Sequence, residues 1–87
     1  MSKQHLATIT ILISDRQQNS EQVNRLLTKN GRLVMSRLGV NVQRKCLKNC
    51  LALMVVAVSG TIKEINDLTK EINKFVGVQV KNNIMTK

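Results

Sequence analysis

Eight consecutive apolar residues, Leu51-Ala-Leu-Met-Val-Val-Ala-Val58, constrain this chain more than any other feature. The run is far shorter than the roughly 20 residues a membrane-spanning helix needs. It is rich in β-branched residues and apolar on both faces, which is the pattern of a strand with neighbours on either side. A central strand requires partners, and the rest of the sequence supplies them.

Leu6–Ile13 alternates, with Ala7, Ile9, Ile11 and Ile13 on one face and Thr8, Thr10 and Leu12 on the other. Asp15-Arg16-Gln17-Gln18 has the spacing of a capping box. Val23, Leu26 and Leu27 follow as an apolar stripe and Asn30-Gly31 as a stop, so a helix of about four turns is expected. Leu33–Arg44 returns to period two, with Val34, Leu38, Val40 and Val42 assigned to one face and a bulge or close backbone contact expected at Gly39. Lys45–Asn49 is a polar turn before the central run. Thr61-Ile62-Lys63-Glu64 repeats the capping box, and Ile62, Ile65, Leu68, Ile72, Phe75 and Val76 recur at helical spacing until Gly77. Val78-Gln79-Val80, continuing towards Ile84, alternates again.

The order is therefore βαββαβ. Such split βαβ units place two helices on one face of a four-stranded antiparallel sheet, a ferredoxin-like α+β sandwich. The opposite face is left uncovered in a monomer, and an exposed apolar face usually marks an interface. A homodimer or homotetramer is expected. The 87 residues form one domain, 1–87, with 1–5 and 85–87 expected to fray. Leu6–Ile13 is too short and too interrupted for a secretory core, so the expected location is the cytoplasm, with no membrane partner.

Lysine and arginine number 14 against 5 acids, a formal charge of +9. No acid falls between Glu21 and Glu64, a segment that holds Arg25, Lys29, Arg32, Arg37, Arg44, Lys45, Lys48 and Lys63. Those up to Lys48 could form a phosphate-binding face, and residues 25–48 are the alternative reading as a basic nucleic-acid-binding module. Sequence-specific single-strand recognition usually adds aromatic stacking platforms, however, and Phe75 is the single aromatic of the chain. A basic solvated surface is the preferred reading.

No set of residues assembles an active site. His5 is the only histidine, and Glu64, Asp67 and Glu71 lie among Lys63, Lys70 and Lys74 as a solvated helix face. Acid–base or nucleophilic catalysis needs partnered titratable groups, so the chain reads as a non-enzyme without cofactor or metal. Cys46 and Cys50 would face each other if Leu47-Lys48-Asn49 formed the turn, and a reversible disulfide is then geometrically open to them. The preferred reading is two partly buried thiols in a reducing cytosol, with a redox pair as the alternative.

The run Ile9-Thr-Ile-Leu-Ile-Ser-Asp-Arg16 and Gln22-Val-Asn-Arg-Leu-Leu27, with Arg37-Leu-Gly-Val40 and Val76-Gly-Val-Gln-Val-Lys81, resembles a family of small stand-alone ACT-like domains, the iron-only hydrogenase system regulators. The chain is similar, more distantly, to the ligand-binding domains of nickel-responsive and amino-acid-responsive regulators. The resemblance implies an oligomeric, ligand-binding regulator of transcription or metabolism, with a small effector or a protein partner at the subunit interface. Amino-acid-binding ACT domains carry a glycine in the loop after the first strand, whereas this chain has Ser14-Asp15-Arg16 there. Ser14, Asp15 and Arg16, with Arg37 and Gly39 on the neighbouring strand, are the effector-site candidates.

Overall fold

The computed structural model describes residues 3–42 and 45–86. Six elements follow one another: β1 (His5–Ile13), α1 (Arg16–Lys29), β2 (Val34–Asn41), β3 (Ala52–Gly60), α2 (Ile62–Asn73) and β4 (Val78–Ile84). They form one antiparallel sheet in the order β2-β3-β1-β4. The twice-apolar run is thus an inner strand, as its composition requires, and both helices cover the same face.

Alternation decides which side chains that face holds. Ile9, Ile11 and Ile13 of β1 and Val56 and Val58 of β3 are fully buried there, against Val23 and Leu27 of α1 and Ile65, Leu68 and Ile72 of α2. At about 25 cal/mol per Å² of apolar surface, full burial of one such side chain is worth about 1.5–3 kcal/mol. The aliphatic residues therefore suffice for a core in a chain with one aromatic.

The capping-box spacing has two different outcomes. At α2 the box forms: the Glu64 amide donates to Thr61 Oγ1 (3.1 Å) and the Thr61 amide to Glu64 Oε1 (2.9 Å). At α1 it does not. Asp15 takes a left-handed conformation (φ 50°) and makes no side-chain cap; its backbone carbonyl accepts from the amides of Gln18 and Asn19 instead.

Strand β2 also departs from expectation. The bulge lies between Val34 and Ser36, not at Gly39, which pairs regularly with Met54. The extra residue inverts the alternation beyond it. Val34 pairs with Val58 on the helix side, but Leu38 and Val40 pair with Val55 and Leu53 and point away from the helices. Of the residues expected to fray, His5 and Thr86 are tied to the sheet, while Met1, Ser2 and Lys87 lie outside the described residues. His5 is buried, its Nδ1 lies 2.9 Å from the Thr86 carbonyl, and the Leu6 amide donates to Thr86 Oγ1. No helix among the described residues is long and apolar enough to cross a membrane.

Hydrogen bonds from the Thr61 amide and hydroxyl, with Arg32 beside it, hold the Glu64 carboxyl below its ordinary 4.5; Lys63 likewise lowers Asp67. A depressed folded value means that the charged form favours the fold. That contribution is complete above about pH 4.5 and is lost as pH falls through the lower, folded value. Thermal unfolding between pH 6 and 3 should show Tm falling below about pH 4.5, and Glu64→Gln should make that acid limb shallower. An unaltered limb in the variant would show that Glu64 carries none of it.

Candidate functional site

Three loops converge at one end of the sheet, where β1 finishes and β3 and β4 begin. The Ser14 amide donates to the Gly77 carbonyl (2.8 Å), and the Ser14 carbonyl accepts from Asn19 Nδ2 (2.6 Å). The Arg16 amide donates to the Cys50 carbonyl (2.8 Å), and Arg16 Nη1 to the Leu51 carbonyl (3.1 Å). The β1–α1 loop is thereby tied to both the β2–β3 and the α2–β4 connections. Asp15 supplies the left-handed backbone that a glycine adopts freely, so the absent loop glycine does not remove the conformation.

The candidate residues do not all gather here. Arg37 reaches over α1, donating from Nη1 to the Asn24 carbonyl and from Nη2 to Thr28 Oγ1, each at 3.3 Å. Gly39 sits on exposed β2, where a Cβ would meet nothing within 4 Å. The described basic residues lie on several different elements. Arg25 pairs with Glu21 on the surface of α1, and Arg32 with Glu64 at the start of α2 (2.9 Å). Lys45 and Lys48 are exposed on the β2–β3 loop and Lys29 at the end of α1, while Arg44 lies outside the described residues. Arg25 and Lys29 border a cleft of about 320 Å³ with Gln22, Leu26 and Phe75. No group of three or more His, Cys, Asp or Glu among the described residues could hold a metal ion.

Cys46 and Cys50 do not stand as free thiols. They form a disulfide (Cα–Cα 5.7 Å), contrary to the preferred reading. Nor do they oppose each other across a ladder, since β2 ends at Asn41 and β3 begins at Ala52. Both sit within the connecting loop, where Asn49 takes a left-handed turn (φ 54°) and Leu47 is 99% exposed.

The sheet face opposite the helices carries Leu6, Leu12, Leu38, Val40, Leu53, Val55 and Ala57, by the register of the three strands they occupy. Leu38 is 65% exposed and Val55 37%, although Val55 lies on an inner strand. A hollow of about 160 Å³ opens on the β1–β4 side, lined by Thr10, Leu12, Gln79, Val80 and Lys81. Leu12 pairs with Gln79, two residues before Ser14, so the hollow adjoins the β1–α1 loop. Neither Lys81 nor Gln79 stood out in the sequence. The period-two alternation of β4 was the one signal that set them on the open face.

The sequence model of the TM1266-like family, described as "Iron-only hydrogenase system regulator, putative", matches residues 5–82. No curated protein matches the chain in sequence. Among solved structures, the uncharacterized protein TM1266 from Thermotoga maritima is 24% identical over 97% of this chain and 100% of its own, with a TM-score of 0.84. Apo CPII, a nitrogen regulatory PII-like protein from Thiomonas intermedia K12, is 18% identical over 98% of this chain and 97% of its own (TM-score 0.60). The GlnK–ATP complex of B. subtilis is 15% identical over 98% and 84% (TM-score 0.53). At these identities the likeness is one of fold.

Gly77 has φ +75°, and a Cβ there would stand 2.7 Å from Asn19 Nδ2, which the Ser14 carbonyl holds in place. Gly77→Ala should cost about 1–3 kcal/mol in urea unfolding, the usual range for forcing such a conformation on alanine. Gly39→Ala should change stability by less than about 0.5 kcal/mol, as surface substitutions usually do. Equal losses in the two variants would contradict this account of the α2–β4 connection.

Proposed function

Because this chain belongs to the TM1266-like family of iron-only hydrogenase system regulators, we propose that it is a non-catalytic regulatory domain working as a homo-oligomer. The open sheet face is its self-association surface, and a small anionic effector binds at the end of that face. The observation that carries the reading is the apolar face itself. Val55, central in the sheet, is 37% exposed, and Leu38 and Val40 beside it are 65% and 48% exposed. Contiguous apolar surface of this kind is stabilised by exclusion of water on association.

The effector position follows from the same face. The hollow at Thr10, Leu12, Gln79 and Lys81 would be walled on its open side by a second subunit, and the Ser14-Asp15-Arg16 loop begins two residues beyond Leu12. A net charge of +9 and the Lys81 ammonium favour an anion. Two proteins of similar fold were solved with anions: CPII with ADP and bicarbonate, and GlnK with ATP.

Sedimentation equilibrium at micromolar concentration should give a mass above that of one chain. Leu38→Glu combined with Val55→Glu should return it to the monomer with its circular dichroism retained. A monomeric wild-type protein would sink the assembly. For the effector, ADP, inorganic phosphate and bicarbonate should be screened for thermal shifts, since a ligand at 100 times its Kd adds about 2.7 kcal/mol of stability. The expected result is a shift that Lys81→Glu abolishes. Oligonucleotide binding that weakens steeply with salt, without any small-anion shift, would favour the basic segment 25–48 instead.

A further inference from the structure

The Cys46–Cys50 disulfide closes a ring within the β2–β3 loop, and its two sulfurs have unlike surroundings. Cys50 is fully buried, whereas Cys46 is partly exposed beside the exposed Lys45, Leu47 and Lys48. Gln17 Nε2 lies 3.4 Å from Cys50 Sγ and points a donor at it from the first turn of α1. The Cys50 carbonyl accepts the Arg16 amide, the first amide of a helix that has no side-chain cap. One residue of the disulfide thus performs the capping that Asp15 does not.

We propose that Cys46–Cys50 is a reversible thiol–disulfide exchange site for a dithiol reductant, and that its redox state sets the order of the β1–α1 loop. A reductant thiolate attacks Cys46 Sγ, the accessible sulfur, forming a mixed disulfide. The Cys46–Cys50 bond breaks and its electron pair passes to Cys50 Sγ. The resulting thiolate lies beside the Gln17 amide donor and the positive end of α1, which stabilise a leaving sulfur, and it then takes a proton. The second thiol of the reductant attacks the mixed disulfide and releases Cys46. Two electrons and two protons enter the protein, and the reductant leaves as its own disulfide. With the ring open, Cys50 is held only by its backbone, and the acceptor for the Arg16 amide loses its anchor. The loop so loosened is Ser14-Asp15-Arg16, next to the proposed effector site, although the exchange chemistry stands without that reading.

The native protein should be treated with dithiothreitol without denaturant, then alkylated and weighed. The oxidised chain should take up no label and the reduced chain two. With glutathione disulfide, Cys50→Ser should form a mixed disulfide at Cys46 faster than Cys46→Ser forms one at Cys50, by about tenfold or more, because burial restricts access. Amide exchange at residues 16–19 should accelerate by about tenfold on reduction, with α2 unchanged. Labelling of native, untreated protein at both cysteines would overturn the proposal, as would reduction that requires denaturant. Exchange at residues 16–19 that is indifferent to reduction would overturn the coupling to the loop.

Discussion

Two helices can cover one face of a four-stranded sheet, and everything else in this molecule follows from the face they leave open. The covered side is satisfied within the chain. Ile9, Ile11 and Ile13 on β1 and Val56 and Val58 on β3 meet the stripes of α1 and α2 with no exposure to water. The uncovered side carries leucines, valines and an alanine on strands whose inner positions cannot be withdrawn from solvent by any rearrangement of one subunit. Hydrophobic stabilisation thus remains unrealised in the isolated domain, and the proposed association is a route by which a fold of this size would gain it.

The same geometry explains why the candidate site lies at one end. The βαββαβ order brings the β1–α1, β2–β3 and α2–β4 connections together, and backbone hydrogen bonds lock them: Ser14 to Gly77 and Arg16 to Cys50. Loops carried on a rigid sheet end are where binding residues concentrate. Here the locking is done mostly by main chain, which leaves the Asp15 carboxylate without a capping role and Lys81 on the open face. The basic segment makes a weaker case. Arg25 and Arg32 each have a carboxylate and Arg37 lies across α1, so three of the described cations are engaged by the protein's own groups.

How far the sequence reveals this arrangement depends on whether the deciding interaction is local. The alternations of β1 and β4, the twice-apolar β3 and the α2 capping box are local patterns, and each appears in the structure where the pattern lies. Thr61 and Glu64 cap each other through one carboxylate oxygen, Oε1, while Arg32 takes the other, Oε2. Asp15 has the same spacing to Gln18, yet the turn out of β1 requires a left-handed residue there, and a distant loop supplies the acceptor for the Arg16 amide. The bulge after Val34 has no sequence signature, and its single extra residue parts Leu38 and Val40, on the open face, from Val34 on the helix side. The pairing of Cys46 with Cys50 depends likewise on how the loop closes, which spacing alone leaves undecided.

The central claim is that the open sheet face is covered by a second copy of the chain. Methyl NMR with a soluble paramagnetic agent reads that face directly, because attenuation reports solvent contact one methyl at a time. At concentrations where the protein associates, Leu38, Val40 and Val55 should be protected and Val76, which is 84% exposed away from the sheet, should be attenuated. Attenuation of Leu38 and Val55 as strong as that of Val76, at every concentration, would show the face bathed in water and contradict the account.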